Sequence, residues 1–319
     1  MLPSTPRRRE GNVPEQLVGS PTAASVATAA LATSAVRSFM VPVSNNPLLT
    51  GRESIIKRMR DFFFGSDHST QKRLVLTGLG GVGKTQIATA FAYDSYSKMR
   101  YSTVLWFFAV EKQELVKSFT QVAKSLGLYP EMPPIALALL QWLSREQTSK
   151  CLLVFDNTDD LESFDVSQFF PKVPWGDILI TSRCKQADRL GHAMAIDVMD
   201  EDEAVQLLLR CSRQAEVNDE TLVQRLAETL GYLPLALDQA GAYVSEQCID
   251  LSDYLELYGE SFEELLRHKP PRAVWSYEET VFTTWEISYA AVSKSNPLAA
   301  KLLNLVAFFH SDGVPLALI

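Results

Sequence analysis

The run from Arg73 to Ile87, Arg-Leu-Val-Leu-Thr-Gly-Leu-Gly-Gly-Val-Gly-Lys-Thr-Gln-Ile, leaves this chain few folds to choose from. Gly78, Gly83, Lys84 and Thr85 fill the pattern of Gly, four residues, Gly, Lys, then Ser or Thr, by which a loop cradles phosphate. The flanks agree with it. Leu74, Val75 and Leu76 suit a buried strand, and Gln86 to Tyr93 is rich in helix formers, so the loop joins a strand to a helix. Gly78, Gly80, Gly81 and Gly83 let the backbone N–H groups around Val82 turn toward an anion, which the positive end of the following helix also attracts. Lys84 is placed to reach β- and γ-phosphates, the Thr85 hydroxyl to ligate Mg²⁺, and Gln86 lies beside them in the first helical turn. An ordinary Gly-rich turn is the competing reading, but the flanking strand and helix favour the phosphate loop.

Strands and helices then alternate. Ser102 to Val110 is a nearly continuous apolar run, as a strand buried on both faces requires, and Glu111 to Leu126 and Pro134 to Gln147 read as helices. Cys151 to Phe155 is the next apolar strand and ends in Asp156-Asn157. Ligands of open α/β sheets bind at such strand ends, so Asp156 is a candidate for orienting Mg²⁺ with Thr85. Asn157 is an amide where a carboxylate would be the natural group to activate water, so hydrolysis is expected to be slow or to use another residue. Asp177 to Thr181 delivers Thr181-Ser182-Arg183 to the same edge, where the Arg183 guanidinium could fork onto phosphate oxygens and report whether ATP or ADP is bound. Ala193 to Val198 reads as the last strand. The expected class is therefore α/β, a doubly wound parallel sheet of the phosphate-loop NTPase type.

Helices follow. Asp200 can cap one that runs through Arg210, with Glu203 placed for a capping box, and Asn218 to Leu230 forms another. Gly231 suits the left-handed residue past a helix end, and Pro234 the first turn of a helix from Leu235 to Val244, where it offers an apolar surface that a purine face can use. Leu251 to Arg267, Thr280 to Val292 and Leu298 to Phe309 are also helical. The apolar run from Gly313 to Ile319 reads as part of a unit cut short. Ahead of the sheet, Ser54 to Phe64 is an amphipathic helix, while residues 1–40 lack a substantial apolar face and read as a disordered tail. Glu10 and Glu15 oppose reading that tail as a targeting peptide.

A net charge of −8 argues against a general nucleic-acid surface, and no stretch has the length and apolarity of a membrane span. The four cysteines are far apart in sequence and lack metal-ligand spacing, which fits a reducing, cytoplasmic setting.

From about Leu48 to Ile319 the chain resembles the NB-ARC signalling ATPases, the nucleotide switches of NOD-like receptors and the wider STAND class, in a form like the fungal ones. Gly51-Arg52-Glu53, Gly78 to Thr85, Leu152 to Asn157, Ile178 to Arg183 and Gly231 to Leu237 carry the likeness, the last of them most diagnostically. Thr283 to Ser288 looks like the segment leading into that family's winged helix. The resemblance implies that Leu49, Gly51, Arg52 and Pro234 border the adenine and that Arg183 is a sensor. It implies a nucleotide-binding domain over 41–198, a helical lid over 199–270 and the start of an incomplete winged helix over 271–319. It further implies an ADP-held switch that self-associates with ATP, in immunity-like or incompatibility signalling, with an upstream trigger and an effector that the sequence does not identify. A phosphate-loop kinase or a fast ATPase is the alternative, and either would need a positioned base.

Overall fold

The computed structural model describes residues 37–46, 49–65, 70–128, 135–144, 150–214, 220–269 and 280–307. Its sheet has six strands, β1 (Ser38–Met40), β2 (Arg73–Thr77), β3 (Thr103–Phe108), β4 (Cys151–Asp156), β5 (Gly176–Ser182) and β6 (His192–Ala195). They lie in the order β1-β3-β4-β5-β2-β6, and every pairing is parallel. This is the α/β phosphate-loop NTPase architecture that the sequence leads one to expect.

The helices are α1 (Glu53–Phe64), α2 (Lys84–Ser97), α3 (Lys112–Ser125), α4 (Ile135–Leu143), α5 (Glu201–Ser212), α6 (Glu220–Thr229), α7 (Pro234–Gln247), α8 (Leu251–Arg267), α9 (Val281–Ser295) and α10 (Pro297–Val306). Alternate residues of the central strands feed two cores, as the period of a strand requires. Leu74, Leu76, Val104, Trp106, Val154 and Leu179 join a core with Met59, Phe63, Ile87 and Phe91, and the same core continues through Leu208, Leu226, Leu237 and Tyr254 of α5 to α8. Val75, Leu105, Phe107, Leu153, Phe155 and Ile180 face the other way, onto Leu115, Phe119, Leu139 and Leu143. There Phe107 stacks on Phe119 with ring centroids 4.1 Å apart. Truncating such a buried ring, as in Phe119→Ala, costs about 3–5 kcal/mol.

Three expectations are corrected. Ser38–Met40, assigned to the tail, is an edge strand paired with Thr103 to Leu105, and the Phe39 ring packs 4.7 Å from that of Tyr93. So short a strand cannot display a period of two, which is why the sequence hid it; residues 1–36 of the expected tail lie outside the described residues. The last strand starts at His192 and stops at Ala195, although Ile196 N–H still reaches the Thr77 carbonyl at 2.7 Å. Asp200 caps α5 by accepting from Glu203 N–H, but the reciprocal arm of the capping box is replaced, because the Glu203 carboxylate turns to Arg52.

Register decides what meets at the C-terminal edge of the sheet. Phe155 lies opposite Ile180 and Thr77 opposite Ser182, so β5 stands between the loop strand β2 and the carboxylate strand β4. Asp156 is consequently the neighbour of Thr181. Among the described residues, no helix is long and apolar enough to cross a membrane.

Candidate functional site

The loop from Gly78 leads into α2, whose cap residue Gly83 is left-handed at φ 92°. Gly81, at φ +81°, could not carry a side chain without strain, and a Cβ on it would come within 3.1 Å of Leu235. That close approach has a use. Leu235 N–H, in the first turn of α7, donates to the Gly81 carbonyl at 3.2 Å, so the helical part bonds to the phosphate loop itself. Gly231 is left-handed as expected, and Pro234 occupies the first turn of α7.

Between the loop and these helices lies a cleft of about 760 Å³. Gly80, Gly81, Val82, Gly83, Lys84, Thr85 and Gln86 line it together with Asp156, Asn157 and Arg183. Val43, Leu49, Met199, Leu207, Pro234 and Leu235 give the same cleft an apolar lining. Of the residues singled out in the sequence, Leu49, Arg52, the loop from Gly80 to Gln86, Asp156, Arg183 and Pro234 all line it, while Gly51 and Gly78 do not. Gly78 contributes its carbonyl instead: the Lys84 ammonium donates to Gly78 O at 2.8 Å and to Leu79 O at 2.7 Å.

Gly51 serves a contact. At φ +66°, it leaves open the place where a Cβ would lie 2.4 Å from the Glu203 carboxylate carbon, and Glu203 Oε1 there accepts from Arg52 N–H at 2.7 Å. The Arg52 guanidinium is buried and donates to the carbonyls of Asp197, Val198 and Val82, at 2.9, 3.2 and 3.3 Å. One side chain thus ties the entry segment, the phosphate loop and the approach to α5 together. Its role is a clamp at the cleft wall, and burial lowers its pKa despite the opposing charges of Glu203, Asp200 and Asp197.

Asp156 is buried, and its Oδ1 accepts from Thr181 Oγ1 at 2.6 Å and from Thr85 Oγ1 at 2.9 Å. Burial raises its pKa in spite of those two bonds and of the Lys84 charge. A carboxylate served by neutral hydroxyls in a buried position is short of positive charge. Lys84 has the mirror problem, since burial lowers its pKa from 10.5 to about 8 while Asp159 and Asp156 oppose the shift and Arg183 adds to it. Gln86 Oε1 is buried with no hydrogen-bond partner among the described residues. Together, the lysine can hold an anion, the carboxylate and Thr85 hydroxyl can hold a hard cation, and the apolar lining can hold a flat hydrophobic body.

Sequence reasoning missed several residues here. In the sequence Thr181 is only the start of a strand-end tripeptide, yet its hydroxyl both donates to Asp156 and accepts from Asn157 N–H at 2.9 Å. Asp159 holds Arg183: its Oδ1 accepts from Arg183 N–H at 2.6 Å and from Ser182 Oγ at 3.1 Å, and its Oδ2 lies 3.6 Å from Arg183 Nε. The register of β4 against β5 was the signal that could have found both, because it pairs the Asp156 to Asp159 turn with the Thr181 to Arg183 turn.

Fold and loop define the chain as a phosphate-loop NTPase of the α/β class. It belongs to the NB-ARC domain family, whose model matches residues 52–218, slightly more than half of the chain. A nucleotide-binding leucine-rich repeat (NLR)-like protein of Hyaloscypha variabilis is 27% identical over 319 residues, covering 88% of this chain and 31% of that protein. The regulatory protein AfsR of Streptomyces griseus is 26% identical over 204 residues, covering 60% of this chain and 20% of that protein. The chain therefore spans a third or less of these relatives. Among solved structures, Drosophila ORC bound to DNA superposes with a TM-score of 0.53 at 14% identity, covering 97% of this chain and 91% of that one. Aeropyrum pernix ORC2, in its ADPNP–ADP complexes, gives 0.50 at 14% identity, covering 72% and 74%. At such identities these two likenesses bear on the fold alone.

Proposed function

We propose that this chain is an ATP/ADP-binding switch with Mg²⁺ as its cation. The observation that carries the reading is the single cleft in which an anion-ready loop, a buried carboxylate and an apolar lining from the helical part meet. Lys84 and the loop N–H groups bind the phosphates, Arg183 meets the terminal phosphate, and Leu49 and Pro234 border the base with the backbone that Gly51 and Arg52 fix in place. Thr85 and Asp156 fit a magnesium ion by their chemistry, a hydroxyl and a carboxylate on neighbouring elements. A cation held by these two side chains would take its other ligands from phosphate and water. When bound, it would neutralise charge on the phosphates; Asn157, as an amide, cannot take a proton from water, so turnover is slow and the shape change is the output.

In this reading residues 41–198 bind the nucleotide, 199–270 act as the lid and 271–319 begin a winged helix. The Leu235 to Gly81 bond and the Arg52 clamp support a lid whose position depends on the loop's contents. Self-association in the ATP state, a cytoplasmic setting and signalling of an immunity-like or incompatibility kind belong to the same proposal, as the family resemblance implies. Isothermal calorimetry of the chain with ATP and ADP, with and without Mg²⁺, tests it. Micromolar or tighter affinity is expected, with hydrolysis far below the roughly 1 to 1000 per second typical of enzymes. Failure to bind either nucleotide, or rapid multiple turnover, would overturn the switch.

A further inference from the structure

One carboxylate holds Arg183 and also acts electrostatically on Lys84, the two cations expected to meet phosphate. Asp159 accepts the Arg183 backbone N–H at 2.6 Å and pairs with the Arg183 guanidinium at 3.6 Å, and Ser182 Oγ at 3.1 Å fixes it in place. It is also the charge that acts most strongly on Lys84 in the stabilising sense, ahead of Asp156. Its side chain is about one-third exposed, so the pair is accessible from solvent rather than sealed in the core. No motif assigns it a task, since it stands three residues beyond the strand-end carboxylate.

We propose that Asp159 is an internal stand-in for the terminal phosphate, which holds Arg183 and sets how strongly the cleft prefers a nucleoside diphosphate over a triphosphate. The inference rests on the nucleotide reading above. A triphosphate brings an additional negative group toward the end of the cleft where Lys84 and Arg183 stand, and that group competes with the carboxylate for the guanidinium while being repelled by it. A diphosphate leaves the Asp159–Arg183 pair undisturbed. Asp159 therefore penalises the triphosphate selectively, and the penalty is a property of the Asp159–Arg183 pairing, not of the loop.

The test is the ratio of affinities, because partial unfolding weakens both nucleotides alike and leaves a ratio unmoved. Affinities for ADP and for a non-hydrolysable ATP analogue would be measured by calorimetry, with Mg²⁺, on the chain and on Asp159→Asn and Asp159→Glu. The amide can still accept from Arg183 N–H and Ser182 Oγ, so the turn keeps its bonds. Asp159→Asn should tighten the triphosphate by about three- to tenfold relative to the diphosphate, screening at a partly exposed site setting the limit. Asp159→Glu, which keeps the charge, should shift the ratio less than Asp159→Asn. An unmoved ratio in Asp159→Asn, or one that moves toward the diphosphate, overturns the proposal while leaving the nucleotide reading intact. Absence of both affinities in the unmodified chain overturns that reading, and this inference falls with it.

Discussion

Two buried aspartates stand at opposite ends of neighbouring strands, and they are treated differently. Asp177, near the N-terminal end of β5, is 1% exposed and receives Lys72 N–H at 3.0 Å, Tyr101 O–H at 2.9 Å and the Lys150 ammonium at 3.5 Å. Asp156, at the C-terminal end of β4, is 5% exposed and is bonded through one oxygen by the hydroxyls of Thr85 and Thr181. The first is a closed network with a cation built in. The second has two hydroxyls as its hydrogen-bond partners among the described residues, the arrangement that the proposed magnesium site calls for.

The largest effect that would break this contrast concerns Lys84, which faces Asp156's end of the sheet. Lys84→Ala should lower affinity for ATP and ADP by about a hundredfold or more, as truncating a buried charge partner does. Calorimetry decides it: undiminished binding would remove the phosphate loop from the site and leave the C-terminal edge with no ligand role. The two aspartates should then separate. Asp177→Asn should cost about 2–4 kcal/mol in urea unfolding, since it leaves Lys150 without its buried partner, and should leave nucleotide affinity unchanged. Asp156→Asn should do the reverse, keeping or raising stability while the Mg²⁺-dependent part of the affinity disappears. Equal losses of stability in the two variants would show that Asp156 is as structural as Asp177.

The sequence made one side of this contrast legible and hid the other. Asp156 follows four apolar residues and so announces a strand end, and the Gly-Lys-Thr pattern announces the loop beside it. Asp177 precedes an apolar run in the same manner, but its partners Lys72, Tyr101 and Lys150 come from three separate segments, and only the parallel register unites them. The Glu203 contact is hidden for a similar reason. Spacing within a helix predicts a contact three residues away, whereas the Glu203 carboxylate goes to a residue 151 positions distant. Local chemistry is written along the chain; contacts across it depend on the register and crossover that the fold supplies.

Gly51 gives that long-range contact a smaller test. A methyl group there would meet the Glu203 carboxylate and force a left-handed backbone on a residue with a Cβ, so Gly51→Ala should lose about 1–3 kcal/mol in thermal unfolding. Glu203→Ala in the same background removes the obstacle and should return part of that loss. Should the double variant be no better than Gly51→Ala, the steric account of this turn is wrong.

The finest distinction between the two ends of the sheet is their titration. Burial lowers Lys84 to about 8, whereas burial also holds Tyr101 well above its usual value and pushes Cys151 up to about 12. Between pH 7 and 9.5 the N-terminal edge therefore keeps its protons, and Lys84 loses its own. For a base with a lowered pKa, the stability gained by keeping it neutral is present above the unfolded value of 10.5 and is lost as pH falls through about 8. A bound phosphate reverses that preference and favours the ammonium. The complex must then take up a proton wherever the free lysine is neutral, so affinity should be nearly level around pH 7 and fall by about tenfold from pH 8 to 9.5, the phosphates being already ionised across this range. Lys84→Arg, with a guanidinium that stays charged, should bind with a flatter profile even if it binds more weakly. Calorimetry across that range, corrected for buffer ionisation, gives both the affinity and the proton uptake. A level profile in the unmodified chain would mean that Lys84 stays charged in the free cleft, and that the phosphate end is less desolvated than its burial indicates.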